Sequence, residues 1–205
     1  TGTDPYPFVH LHVHSNFSFL DGGSRIEELA ARAAELEQPA LALTDHDGLY
    51  GAVRFAKACA KYGIKPIFGA EVGTESLLVG ERKAPPPGRD DLTPRNPHHL
   101  VLLAEDREGY ANLCRLLSAA HLADPTRTRP PVVTLDSLRT HSQGLICLTA
   151  CRHGEIGSLV DAGRDHDARN ALLQLRDIFG PDHLYLELQY FGYELTKKPT
   201  RGNTV

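Results

Sequence analysis

The sequence predicts an α/β fold in which short apolar strands alternate with amphipathic helices. Three observations carry this. Apolar runs of strand length recur at 39–44, 64–72, 98–104 and 144–149. Between them lie stretches with apolar residues at helical spacing, such as 49–62 and 106–121. The repeated strand-helix-strand order implies parallel pairing, because a crossover helix returns the chain to the same end of the sheet. Units in this number fit either a (β/α) barrel or a doubly wound sheet.

The first element is residues 8–21, FVHLHVHSNFSFLD. On an extended strand alternate residues share a face, so His10, His12 and His14 are expected together, with Val9, Leu11 and Val13 opposite. Crowded imidazoles are hard to satisfy as packing, and a divalent cation satisfies them together; zinc, manganese and iron all fit. Ser24 and Glu27 have the form of a capping box, followed by Ile26, Leu29, Ala30 and Ala33 at helical spacing. The run 39–44 breaks into Thr44-Asp-His-Asp-Gly, and the helix at 49–62 is stopped by Gly63.

The strand at 64–72 carries Glu71 near its far end. Residues 73–97 interrupt the rhythm with two proline-rich stretches, so this is expected to be a surface insertion, with a short strand at 76–79. A strand at 98–104 and a helix at 106–121 follow, then a Pro- and Arg-containing connection at 125–131. Beyond it come a buried strand at 144–149, a small helix near 155–160, a helix at 168–179 closed by Gly180-Pro181, and a strand at 183–189. The tail 191–205 has no clear period and is expected to be irregular.

At 205 residues, 41% hydrophobic and 23% charged, the chain has the balance of one soluble domain. No apolar run approaches the roughly 20 residues that span a bilayer. Cys59, Cys114, Cys147 and Cys151 show no paired spacing, which agrees with a reducing compartment, so a cytoplasmic location with no membrane contact is expected. A net charge of −4 does not advertise nucleic-acid affinity.

Residues able to ligate a metal stand where strands end: His12 and His14, Asp45 and His46, Glu71, and Cys151. In parallel α/β architectures these ends converge on one face. Asp21 in the first loop and either His98 or His99 add to them. Each has a plainer reading: Asp21 as a turn residue before Gly-Gly, Asp45 as a helix cap or as a group orienting His46, Cys151 as a small core residue. Glu71 is harder to dismiss, since a carboxylate ending so apolar a run is buried unless paired. His121, His141, His153, His166 and His183 sit among polar neighbours and are assigned no chemistry. A cluster of divalent ions bridged by a carboxylate suits phosphoester hydrolysis. The chain has no glycine-rich phosphate loop and no HExxH, which sets aside nucleotide-loop and zincin chemistry.

Together, His12-Val-His14-Ser, Phe-Ser-Phe-Leu-Asp21-Gly, Ala-Leu-Thr-Asp45-His46, Gly69-Ala-Glu71, His99-Leu and Thr149-Ala-Cys151 resemble the polymerase and histidinol phosphatase (PHP) domain of bacterial DNA polymerase III alpha subunits. Ser15-Asn-Phe-Ser-Phe-Leu and Asp45-His-Asp-Gly-Leu-Tyr-Gly look like the error-prone branch. The resemblance implies a distorted, seven-stranded TIM-like barrel, a (β/α)7 fold, possessing a metal site of His12, His14, Asp21, His46, Glu71, His99 and Cys151. Glu71 would bridge, and Glu71, Asp21, His12 and His14 are the candidates for the reaction itself. The implied cofactor is about two to three Zn2+, Mn2+ or Fe ions. The implied activity is 3′-5′ exonuclease proofreading on a DNA 3′ end, in replication or translesion synthesis, with the rest of a polymerase chain and replisome proteins as partners.

Two rival readings follow from the same family: a non-catalytic scaffold for the polymerase, and a free-standing phosphatase of a small phosphorylated metabolite. The family's last motif, Asp-x-His, is not found after Glu187. Residues 1–190 are therefore expected to form the metal-binding domain, incomplete at its C-terminal side, with 191–205 as the truncation point of a longer polymerase.

Overall fold

The computed structural model describes residues 8–78, 98–126, 128–151 and 153–189. Six helices and five strands are assigned among them. In chain order these are α1 (Ile26–Glu35), β1 (Ala40–Leu43), α2 (Ala52–Tyr62), β2 (Lys65–Thr74), β3 (His98–Ala104), α3 (Arg107–Ala123), α4 (Leu135–His141), β4 (Leu145–Leu148), α5 (Glu155–Asp161), α6 (Asp165–Phe179) and β5 (Leu184–Tyr185). The strands form one sheet in the order β1-β2-β3-β4-β5.

The fold is α/β, but the sheet is mixed and open. β1 and β2 pair in parallel, as do β4 and β5, whereas β3 runs antiparallel to both β2 and β4. The expectation of an all-parallel sheet therefore fails at β3. Thr74 pairs with His98, so the chain leaves β2 and enters β3 at the same end of the sheet. Seven strands closing into a barrel are not seen among the described residues. Residues 76–78 form no strand; position 79, the rest of the insertion to 97, and the tail 191–205 lie outside the described residues.

Local chemistry explains most boundaries. Helix α1 starts one position later than the expected box, with Arg25 at the N-cap and the Glu28 carboxylate accepting from the Arg25 N–H at 2.8 Å. Gly63 stops α2 in the left-handed conformation (φ 71°), and Ile64 N–H returns to Cys59 O. Helix α4 is not among the elements expected from the sequence; its signal is Thr134, whose hydroxyl accepts from Ser137 N–H at 3.2 Å, with Asp136 in the first turn.

The sheet is buried on both sides. Ala70, Val72, Leu100, Leu102 and Cys147 pack against α3, α4 and α6 through Leu113, Leu116, Leu138 and Leu175. Truncating any of these leucines to alanine costs about 2–5 kcal/mol. The other face carries Ala42, Val101, Leu103, Leu148 and Ala150, with Ile67 and Ile146 beside them. Strand alternation puts Glu71 and His99 on this second face, in phase with Ile67 and Val101. No helix among the described residues is long and apolar enough to cross a membrane.

Candidate metal centre

The histidine segment runs beside β1 without forming a regular strand. Ala42 N–H donates to His10 O and Thr44 N–H to Val13 O, so a step of three positions in the histidine segment faces a step of two along β1. The extra residue reverses the alternation, in the manner of a bulge. His10 turns away and its Nδ1 meets Gln38 Oε1 at 3.0 Å, while His12 and His14 turn towards Glu71. The expected common face of three histidines thus holds for two.

Glu71 is the hub. Its residue is 2% exposed, and its carboxylate meets four imidazoles. Oε2 stands 2.5 Å from His12 Nε2 and 3.3 Å from His14 Nε2; Oε1 stands 3.6 Å from His46 Nδ1 and in close contact with His99 Nδ1. Asp21 closes the rim, its Oδ2 lying 3.2 Å from His46 Nε2 and 3.6 Å from His14 Nδ1. His99 rather than His98 belongs to the cluster because odd positions of β3 face this side; His98 Nε2 instead approaches Glu155 at 3.8 Å. The reversal of β3 also explains why a residue near a strand's start joins residues near the ends of others: β3 begins where β2 ends.

Cys151 lies just past β4 and accepts from His153 N–H at 3.4 Å. Burial holds its thiol above the usual range, with the charges of Glu71 and Glu187 acting in the same sense. It joins none of the close ligand groups among the described residues. Asp45 is buried and bonded to Ser15 and Ser18, away from the imidazole cluster.

Two contributors were not legible as site residues. Glu187, just after β5, accepts from His12 Nδ1 at 2.7 Å, and Gln189 Nε2 donates to the same carboxylate at 2.7 Å. His121 Nε2 on α3 reaches Asp47 O at 2.6 Å and supports the loop behind His46. The signal for Glu187 was a carboxylate within an alternating run, YLELQ; His121 offered none. The backbone is strained around the cluster: Leu20, Asp47 and Ala150, each adjoining an expected ligand, have φ of 68°, 49° and 60°.

The electrostatics follow from the contacts. Burial pushes the Glu71 carboxyl up, but bonds from His12, His14 and His99 outweigh it and hold the group far below the usual range. Burial likewise opposes charge on His12, yet its bonds to Glu187 and Glu71 raise it to about 9. His99 is raised chiefly by Glu71. Without an ion, protons bind this cluster together.

The residues fit a metal. Three overlapping groups bring ligand atoms within 4.8 Å of one another: His12, His14 and Glu71; His14, Asp21 and His46; His46, Glu71 and His99. His12 Nε2 and His14 Nε2 face each other at 3.0 Å, close to the roughly 3.3 Å between ligands of one tetrahedral ion. Glu187 Oε2 is buried without a hydrogen-bond partner, while Glu71 Oε1 and His99 Nδ1 have each other.

The chain is 41% identical over 185 residues to a DNA polymerase III subunit alpha from Borreliella burgdorferi, covering 90% of this chain and 15% of that protein. It is 43% identical over 195 residues to an error-prone DNA polymerase from Symbiobacterium thermophilum, covering 88% and 16%. The chain thus spans about one-sixth of the length of these relatives. A solved structure from Bifidobacterium adolescentis, named for metal-dependent phosphoesterase activity, overlays 61% of this chain and 37% of its own at 20% identity and a TM-score of 0.41. Residues 10–190 match the family described as PHP domain. Since that span takes in every side chain of the cluster, from His12 to Glu187, the chain belongs to the PHP domain family.

Proposed function

We propose that this chain is the PHP domain of a DNA polymerase III alpha-type enzyme, and that its centre is a metal-dependent phosphoesterase trimming DNA 3′ ends in the 3′-5′ direction. The observation that carries the reading is one buried carboxylate, Glu71, shared by two of three overlapping ligand groups. Relatives about 40% identical over some nine-tenths of the chain, named as polymerases, support the polymerase context. Within this reading the five-stranded sheet is part of a distorted (β/α)7 barrel. The contact of His12, in the segment beside β1, with Glu187, just after β5, supports that reading.

His12, His14 and Glu71 would hold one ion, and His46, Glu71 and His99 another, with Asp21 and Cys151 completing the set; zinc suits these donors best, manganese and iron next. Bound divalent ions supply positive charge for the phosphoryl oxygens and lower the pKa of water towards neutrality. The protein's own groups do the rest. Glu71 stays ionised between its histidines. Glu187 holds the Nδ1 proton of His12, leaving Nε2 free to ligate. Asp21, exposed at the rim, is placed to take a proton from an attacking water. DNA is held only weakly by a domain of net charge −4, so the rest of the polymerase would present the strand end.

The test is a metal-depleted 205-residue chain reloaded with Zn2+ or Mn2+ and given 5′-labelled single strands and primers with a mismatched 3′ end. Stepwise shortening that stops with a chelator and with Glu71→Gln is expected. Bound metal with intact DNA would give the scaffold role instead. Release of phosphate from a small phosphomonoester, with DNA untouched, would give the metabolite phosphatase.

A further inference from the structure

Asp45 sits behind the cluster, 2% exposed, and touches none of the grouped ligand atoms. Its Oδ1 accepts from Ser15 N–H and from the Ser18 hydroxyl, both at 2.7 Å, and its Oδ2 accepts from the Ser15 hydroxyl at 2.7 Å. Ser18 is equally buried, and its Oγ meets two further groups: His46 N–H at 3.1 Å and His14 Nδ1 at 3.0 Å.

A proton inventory decides the roles. A hydroxyl has one proton and two lone pairs. The carboxylate of Asp45 only accepts, so the Ser18 proton goes to Asp45. The His46 backbone N–H only donates, so it takes one lone pair of Ser18. The remaining lone pair faces His14 Nδ1, which must therefore be the protonated nitrogen. His14 Nε2 is left with its lone pair, aimed at the space it shares with His12 Nε2 at 3.0 Å and Glu71 Oε2 at 3.3 Å.

We propose that Asp45 and Ser18 are positioning residues. The Asp45 carboxylate orients the Ser18 hydroxyl, which holds His14 as its Nδ1–H tautomer and presents Nε2 to the cation shared with His12 and Glu71. This rests on the metal reading above. Asp45 also acts a second time through Ser18, which secures the backbone of His46, so one carboxylate aligns ligands from two segments. Ion-ligating histidines commonly need such a partner on the other nitrogen.

The experiment uses the 205-residue chain with 15N-labelled histidine rings, read by long-range 1H–15N NMR without metal at rising pH until the His14 ring has lost one proton. His14 should show protonated Nδ1 and bare Nε2. Ser18→Ala should lose that preference and bind Zn2+, measured by competition with a chromophoric chelator, about 10–100-fold more weakly. Asp45→Ala should do the same. Asp45→Asn, which keeps an acceptor for Ser15 N–H and Ser18, should retain the tautomer. If Asp45→Ala fails to fold, Ser18→Ala carries the test. A wild-type His14 protonated on Nε2, or an unchanged tautomer in Ser18→Ala, overturns the proposal. A wild type with the expected tautomer that takes up no Zn2+ keeps the positioning relay and removes the metal reading instead.

Discussion

Glu71→Gln and Asp21→Asn form a matched pair, each removing one negative charge while keeping shape. Glu71 belongs to two of the three ligand groups and its side chain is 3% exposed; Asp21 belongs to one, with a side chain 59% exposed. Losing even an outer partner of a metal ligand weakens affinity by about 10–100-fold, and the upper end, roughly 2.7 kcal/mol, serves as a floor for losing a ligand's support. Glu71→Gln removes it from two ions at once, so about 5 kcal/mol of binding is lost by the same arithmetic. Asp21→Asn removes support from a single ion, and water replaces part of an exposed carboxylate. Metal content by inductively coupled plasma mass spectrometry after dialysis, with Zn2+ titration calorimetry, reads both. Glu71→Gln should emerge nearly metal-free and Asp21→Asn should keep the ions held by its neighbours. Equal loss in the two variants, or a greater loss at Asp21, would refute the bridging role.

Three further outcomes are expected. Glu187→Gln should weaken Zn2+ binding at least about tenfold and bring His12 down from about 9 towards its ordinary value, as followed by NMR titration. In the metal-free chain, the raised His12 contributes stability that is complete below about pH 6.5 and lost as pH rises through about 9; the depressed Glu71 contributes above about pH 4.5, and that part is lost in stronger acid. Thermal midpoints of the metal-free chain should therefore fall between pH 6.5 and 9, while Zn2+ affinity rises over the same range because uptake displaces a proton; a midpoint that climbs with pH counts against the pairing. Ala150→Gly should stabilise the chain by about 1 kcal/mol, since Ala150 holds a left-handed φ of 60° that glycine adopts freely; chemical denaturation measures this.

Much of the centre was legible because its chemistry is unusual for packing. Histidines in alternation and a carboxylate closing an apolar run announce themselves in any fold. The arrangement of the sheet was less legible. Nothing in the apolar run at β3 distinguishes a strand running forward from one running back, since a strand buried on both faces carries no signature of direction. The register of β3 against β2 is what brings His99 rather than His98 to the cluster, a choice that alternation could pose but not answer. The extra residue that swings His10 away leaves no mark either, because Leu11 and His12 are as compatible with a bulge as with a regular strand. Asp45 was readable as a polar residue at a strand end, but its partners Ser15 and Ser18 lie about 30 positions earlier, and only the fold brings their hydroxyls to it. Glu187 escaped notice for the same reason, at greater range.

That range has a consequence in time. His12 and its partner Glu187 are 175 positions apart. A ribosome adding about 5–20 residues per second needs roughly 9–35 s to cover the interval. His12 can meet Glu71 much sooner, only 59 positions on, so the first ligand group has its hub before the group that sets its tautomer exists. Assembly is thus ordered along the chain: carboxylate hub first, edge partner last. Until the segment after β5 arrives, His12 has its contact with Glu71 but not the one with Glu187.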